Sequence, residues 1–386
     1  MKLTTCLTSL LLLLSTSLLT MPGAYAERVE PTGRDTPVIA TFDKSSPPAQ
    51  LDIWKDESGG YDSDNDPLWG RNTWICLSSS NPVNGECSTS VTGVVNGNTT
   101  IPVIFTEKRS HLTQIINLTG YHDIYTTTGN ACGVSPKQPW GGPYQVYAGM
   151  QANCNDGEAN DESKLSVYVT SQELSKLPSG GIWEANLKMS LMQWSPRIKL
   201  ADWNARITLN VTDNNNQQIY LPEFGQAAPL VNLNMRPLPG NGINKVSVIG
   251  SASIDVCLYD GYNANSSAFM LTINDSYTGQ GNRTMTDFSL VRQGGNESND
   301  RDRIDYLVDI LNPDTNTIQT VTRGTQMTFT KIQQAHIRQV HLPGLPQPVI
   351  CVPAPLTLST QMFEINSKNA GGYRGTLELN FTPSLY

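Results

Sequence analysis

"YRGTLELNFTPSLY", residues 373–386, decides how the rest of the chain is read. From Tyr373 to Phe381 every second residue is apolar or small: Tyr373, Gly375, Leu377, Leu379 and Phe381. Arg374, Thr376, Glu378 and Asn380 stand between them. A period of two marks a β-strand with one face on a core and the other in water. A strand this well formed needs partners along both edges, because bare N–H and C=O groups beside an apolar floor invite another chain. What lies along its far edge is the question the sequence poses.

The same short alternating runs recur upstream: "TTIPVIFTE" (99–107), "TQIINLTGY" (113–121), "LSVYV" (165–169), "WEANLKMSL" (183–191) and "ARITLNVT" (205–212). They continue with "QIYLPEF" (218–224), "LVNLNMRP" (230–237), "KVSVIG" (245–250), "SIDVCLY" (253–259), "AFMLTIN" (268–274) and "DYLVDIL" (305–311). Turn-forming residues separate them, and helical periodicity is nearly absent. Such spacing implies all-β sandwiches rather than alternating β and α. The exception is "SQELSKL", Ser171 to Leu177, which predicts about two helical turns with Ser171 as N-cap.

The 386 residues suffice for two domains of ordinary size. The best boundary is "TDNNNQQ", Thr212 to Gln218, a polar, turn-rich run between two apolar ones. It predicts a first domain over 27–212, a linker over 213–216 and a second domain over 217–386. Residues 1–26 read as a signal peptide: Lys2, an apolar run, then "AYA" at Ala24–Ala26 in the small-x-small form of a cleavage site. Cys6 lies before the apolar run, where a lipoprotein cysteine would not sit.

The net charge of −8, with lysine and arginine scattered, excludes general nucleic-acid binding and a polybasic membrane surface. Beyond the leader the cysteines are Cys76, Cys87, Cys132, Cys154, Cys257 and Cys351. An even number in an exported chain argues for three disulfides. The count leaves their pairing open; neighbour-first pairing would leave Cys257 and Cys351 as a long-range staple. No CxxC or CxxH spacing suggests a metal.

The acidic run "KDESGGYDSDNDP", Lys55 to Pro67, predicts a mobile surface loop. It places Asp62, Asp64 and Asp66 at the odd positions of a calcium loop. Pro67 replaces the required glycine, however, and Thr73 stands where the bidentate glutamate belongs. No GxSxG elbow, HExxH, phosphate loop or dinucleotide fingerprint occurs. No histidine has a cysteine or acid at ligand spacing. The expectation is a binding or assembly protein, with no enzyme activity, cofactor or metal.

Eight strings then occur in one order: "WICLSSSNPVNGEC" (74–87), "FTEKRS" (105–110), "ELSKLPSGGIWEANLK" (173–188), "ITLNVTD" (207–213), "IYLPEF" (219–224), "VCLYDGYNANSSA" (256–268), "VICVPAPL" (349–356) and "GTLELNFTPS" (375–384). Together they resemble the tip adhesins of class 5, alternate-chaperone fimbriae, the CFA/I-type and CblD-like pilus initiators. The likeness runs from about Leu68 onward.

The resemblance implies two immunoglobulin-like sandwiches in tandem, an adhesin domain followed by an incomplete pilin domain. It implies the pairings Cys76–Cys87, Cys132–Cys154 and Cys257–Cys351. It also answers the opening question. A pilin sandwich is one strand short, and a donated strand fills the groove that Leu377, Leu379 and Phe381 would floor. The partners it implies are a periplasmic chaperone, an outer-membrane usher, a major pilin subunit and a host glycan or glycoprotein receptor. The chain would travel through the periplasm to the fimbrial tip.

In such adhesins attachment depends on one arginine shortly before the first cysteine and an adjacent arginine pair on a later strand. Arg71 matches the first. Ungapped matching places Gln193 and Trp194 at the pair, with Arg197 and Lys199 a few residues on, within reach of a shifted loop. The expected receptor site is therefore Arg71, Trp194 and Arg197, with Trp194 or Trp203 stacking on a sugar and a guanidinium meeting an acidic group. Loss of the arginine pair keeps a second reading open, an initiator and cap without a receptor of its own.

Overall fold

The computed structural model describes residues 27–63, 65, 68–126, 139–149, 153–154, 157–158, 161–239 and 246–385. The expected leader lies outside them, as does Cys132 and with it the pairing to Cys154.

In chain order the first domain contributes β1 (Arg34–Asp43), β2 (Gln50–Ser58), β3 (Asn72–Cys76), β4 (Thr99–Glu107), β5 (Thr113–Thr126), β6 (Asp161–Thr170), α1 (Ser171–Leu174), β7 (Gly181–Trp194) and β8 (Arg197–Thr212). Their ladder runs β1-β8-β7-β4-β5-β6-β2, with β3 also on β7. The alternation of "WEANLKMSL" explains the central strand. Trp183, Ala185, Leu187, Met189 and Leu191 are buried, while Glu184, Asn186 and Lys188 point to water. β1 runs parallel to β8, from Arg34 opposite Trp203 to Asp43 opposite Thr212.

Three tryptophans knit the two walls together. Trp203 on β8 meets Trp54 of β2 edge-on at 5.5 Å and Trp74 of β3 at 5.3 Å between ring centroids. All three are essentially solvent-free. Truncating one to alanine costs about 3–5 kcal/mol. Trp203 is therefore a core residue, and the expectation that it stacks on a sugar is corrected.

The second domain contributes β9 (Ser251–Ile254), β10 (Cys257–Tyr259), β11 (Ala268–Asp275), β12 (Phe288–Arg292), β13 (Arg303–Asn312), β14 (Gln326–Phe329), β15 (Val349–Pro353), β16 (Leu356–Thr360), β17 (Tyr373–Arg374) and β18 (Leu377–Ser384). One sheet is ordered β9-β16-β13-β12-β17, another β14-β11-β18. Alternate residues of β11 (Phe269, Leu271, Ile273), β13 (Tyr306, Val308, Ile310) and β16 (Leu356, Leu358) join one core. The molecule is all-β, with two β-sandwich domains in tandem.

Disulfides join Cys76 to Cys87 and Cys257 to Cys351. The second ties β10 to β15 across 94 residues of sequence. In the chain-entropy account a closure that long stabilises by about 4–5 kcal/mol.

Four local expectations change. The opening stretch is not one strand: Tyr373–Arg374 pairs with β12 in one sheet, and Leu377–Ser384 pairs with β11 in the other. The crossing falls at Gly375, where a Cβ would sit 2.6 Å from the Ser289 carbonyl oxygen. The helix is a single turn, capped by the Thr170 side chain rather than by Ser171. The acidic run is not a surface loop: its first residues finish β2, Tyr61–Asp62 pairs with Arg28–Val29, and Tyr61, Asp62 and Ser63 are buried. Of "QIYLPEF" and "LVNLNMRP" only Gln218–Tyr220 and Arg236–Pro237 are strand.

Candidate functional site

The second domain has an open side. β18 pairs along one edge with β11, from Ala268 opposite Ser384 to Asp275 opposite Leu377. Its other edge has no ladder partner among the described residues. Leu377, Leu379 and Phe381 rest against the core yet stay only half-buried. Phe381 meets Phe269 edge-on at 5.0 Å. The run 229–235 has the same character: Val231 and Leu233 pack on that core, and the run forms no ladder among the described residues. β18 and the run 229–235 thus border one apolar core without a ladder partner on its open side among the described residues, an arrangement that an inserted strand completes.

The first domain offers a different surface at the far end of its longest hairpin. Trp194 and Arg197 are the last opposed pair of β7 and β8. On the other side of β7, Gln193 stands opposite Asn72 of β3, and the Trp194 N–H donates to the Arg71 carbonyl at 2.9 Å. Directly opposed residues of antiparallel strands share a face. Trp194 is therefore flanked by Arg197 across the hairpin and by Arg71, the residue that leads into β3, on the other side. The Arg71 guanidinium lies 5.8 Å from the Trp194 ring centroid, within cation–π range. Arg197 is exposed. Lys199 is paired with Asp202 at 2.6 Å, and Gln193 is buried, its amide donating to the Ser195 carbonyl at 3.1 Å.

Between these surfaces the domains meet at a polar seam. The buried Glu107 carboxylate accepts from the backbone N–H groups of Arg109, Ser110 and Ile182, the Ser110 hydroxyl and the Asn265 side-chain amide. Asn263 donates to the Ser179 hydroxyl oxygen and the Gly180 carbonyl, and accepts from the Ile350 N–H. Arg109 donates to the carbonyls of Gln333 and Ile332. Asp260, also buried, organises the 260–266 loop by accepting from Tyr262, Ala264 and Ser266. Burial nevertheless pushes its carboxyl above the usual range.

Residues 23–214 match the first domain of CfaE, a CFA/I fimbrial protein family, and residues 217–385 match its second domain. The chain belongs to the CfaE family. The CFA/I fimbrial protein of this kind from Escherichia coli is 30% identical over 322 residues, spanning 82% of this chain and 81% of its own. The crystal structure of CfaE, the adhesive subunit of CFA/I fimbria of enterotoxigenic Escherichia coli, superposes with a TM-score of 0.78 at 26% identity, covering 92% of this chain and 94% of that one. A chaperone–tip adhesin complex of CFA/I fimbriae biogenesis gives 0.64 at 26% identity, with 93% and 98% covered.

In this member of the CfaE family, Arg197 stands opposite Trp194 across the hairpin, and the carbonyl of Arg71, the residue before β3, accepts from the Trp194 N–H. Among the described residues no group of three His, Cys, Asp or Glu is placed to hold a metal ion. Asp64 and Asp66 of the acidic run lie outside the described residues. Also among them, no helix is long and apolar enough to cross a membrane. Sequence reasoning missed Glu107, Asn263 and Asn265, although "FTEKRS" and "YDGYNANSSA" contain them. It also missed Gly149, which backs Trp194. Single glycines and amides carry no periodic signal.

Proposed function

We propose that this protein caps a fimbria: its second domain accepts a donated strand, and its first domain binds a host glycan or glycoprotein. The observation that carries this reading is the bare edge of β18 above half-buried Leu377, Leu379 and Phe381, bordered by the unladdered run 229–235. The adhesive role of CfaE in CFA/I fimbria, and the chaperone–tip adhesin complex of CFA/I fimbriae biogenesis, support it. A chaperone supplies the missing strand in the periplasm, and the neighbouring pilin's extension replaces it at the usher. An inserted strand burying four or five apolar side chains contributes on the order of 6–15 kcal/mol before ordering costs. The joint between the domains falls at 213–216. With the leader removed after Ala26, residues 28–43 are used within the first domain itself, where Arg28–Val29 pairs with Tyr61–Asp62 and β1 with β8.

Expression with and without a strand-donating chaperone tests the proposal. The expected result is soluble protein only with the chaperone, and a large gain in thermal stability when a peptide with alternating apolar residues is added. A chain that is soluble, monomeric and stable alone, with slow amide exchange along the far edge of β18, would sink it.

A further inference from the structure

Resting on the strand-accepting reading, we infer that a small sheet at the outer end of the groove seats the folded body of the subunit that donates the strand. Three short strands form it: Arg236–Pro237, Ser247–Ile249 and Phe363–Glu364. The Ile365 N–H extends the pairing to the Val246 carbonyl at 2.9 Å. Opposed residues share a face and alternate residues return to it. Met235, Pro237, Val246, Val248, Phe363 and Ile365 therefore stand on one side. That side is apolar throughout. Met235 and Val246 are 39% exposed and Ile365 57%, and none of the six belongs to the main core of either domain. Single exposed apolar residues need no explanation; a contiguous face of them marks a contact surface.

Position names the occupant. The run 229–235, whose Val231 and Leu233 pack on the core, continues through Met235 straight into the first strand of this sheet. β18 begins at the same level. The Gly250 N–H donates to the Thr360 hydroxyl at 2.7 Å, Thr360 stands opposite Tyr306, and Tyr306 opposite Phe288. Next to Phe288 is Ser289, whose carbonyl Gly375 passes just before Leu377. The other end of the groove is closed. There the Ser384 carbonyl accepts from the Ser267 N–H and hydroxyl, two residues from Asn265 in the seam with the first domain. A donated strand therefore joins its own folded domain at the outer end, beside the apolar face. A contact tethered by the strand forms at high effective concentration, so even a small apolar seat slows release.

The test presents the full chain, delivered as its chaperone complex, with two ligands. One is a synthetic peptide of the major pilin's N-terminal extension; the other is the whole pilin carrying that extension. Wild type is expected to release the pilin roughly ten- to hundredfold more slowly than the peptide. Ile365→Asp and Val246→Asp should bring pilin release close to that of the peptide and leave peptide release unchanged. Ile318→Asp, at a residue 76% exposed beside the far end of β13, should change neither.

If wild type releases pilin and peptide alike, or if both aspartate variants hold pilin as wild type does, the seat is overturned and the groove stands. A loss shared equally by peptide and pilin also overturns the seat as a separate surface. Variants that lose the chaperone yet keep the pilin assign the face to the chaperone and overturn the proposal. If neither peptide nor pilin binds wild type, the strand-accepting reading itself falls.

Discussion

The side-chain amide of Asn265, in the second domain, donates to Glu107 Oε1, in the first, at 3.1 Å. Every partner of that carboxylate is a donor: Arg109 and Ser110 N–H and the Ser110 hydroxyl at Oε2, Ile182 N–H and Asn265 at Oε1. An amide in its place would point its own N–H groups at two or three donors. Glu107→Gln is therefore expected to behave as a loss, not a conservative change, lowering stability by about 2–4 kcal/mol. Thermal unfolding checks this. Limited proteolysis adds a second reading, since cleavage between the domains should become faster. An unchanged midpoint with unchanged proteolysis would refute the role given to the seam.

Gly375 carries the chain from one sheet of the second domain to the other. Its missing Cβ is what lets the backbone pass, since that atom would sit 2.6 Å from Ser289 O and 3.2 Å from Leu290 Cδ2. Gly375→Ala should cost about 1–3 kcal/mol through forced shifts of β12 or β18. Denaturant unfolding of the strand-complemented protein measures this, with the first domain's transition unaffected.

His122 on β5 is buried against Trp74 and Tyr144. Burial lowers its pKa to about 4, although a hydrogen bond to the Gln145 backbone opposes the shift. The unfolded chain then binds a proton that the folded chain refuses. The stability associated with neutral His122 is fully present above about pH 6.5 and lost as pH falls toward 4, by on the order of 2–3 kcal/mol. Asp123 beside it has the opposite sign: burial and the Asp56 charge raise its pKa to about 6, so its contribution weakens as pH rises from about 4 to 6. Comparing His122→Asn with wild type across this range isolates the histidine. The two stability curves should differ in slope between pH 4 and 6.5 and run parallel above. Parallel curves throughout would contradict the buried neutral ring.

On the floor of the open groove, Phe381→Ala removes a ring that is half-buried and edge-on to Phe269. The expected loss is about 2–3 kcal/mol, read as faster release of a bound donor peptide. Glu378→Ala, on the outer face of the same strand, should leave release unchanged. Equal effects of the two would mean that the inner face is not where the peptide sits.

Much of this architecture was legible because it rests on period-two patterns: "WEANLKMSL" lies in β7 with its alternate residues inward, and "AFMLTIN" does the same in β11. The pattern misled where the structure supplies no partner. "LVNLNMRP" alternates as well as any strand, yet forms almost no ladder, since a strand is defined by a neighbour that the sequence cannot show. Charge misled too. Lys55 to Pro67 reads as a solvated loop from its acids, but buried Tyr61 and the pairing of Tyr61–Asp62 with Arg28–Val29 draw most of it into the domain. The sequence could name Arg71, Trp194 and Arg197; only register shows that they are neighbours. Trp194 and Trp203 look alike as letters, and which is core depends on strand face alone.

Eight opposed pairs join β18 to β11 side by side, from Ala268–Ser384 to Asp275–Leu377. A pull along the axis of β18 loads them all at once, in shear, where a pull across it would open them singly like a zip. A protein tethered through this strand would hold against traction until the whole ladder slipped together.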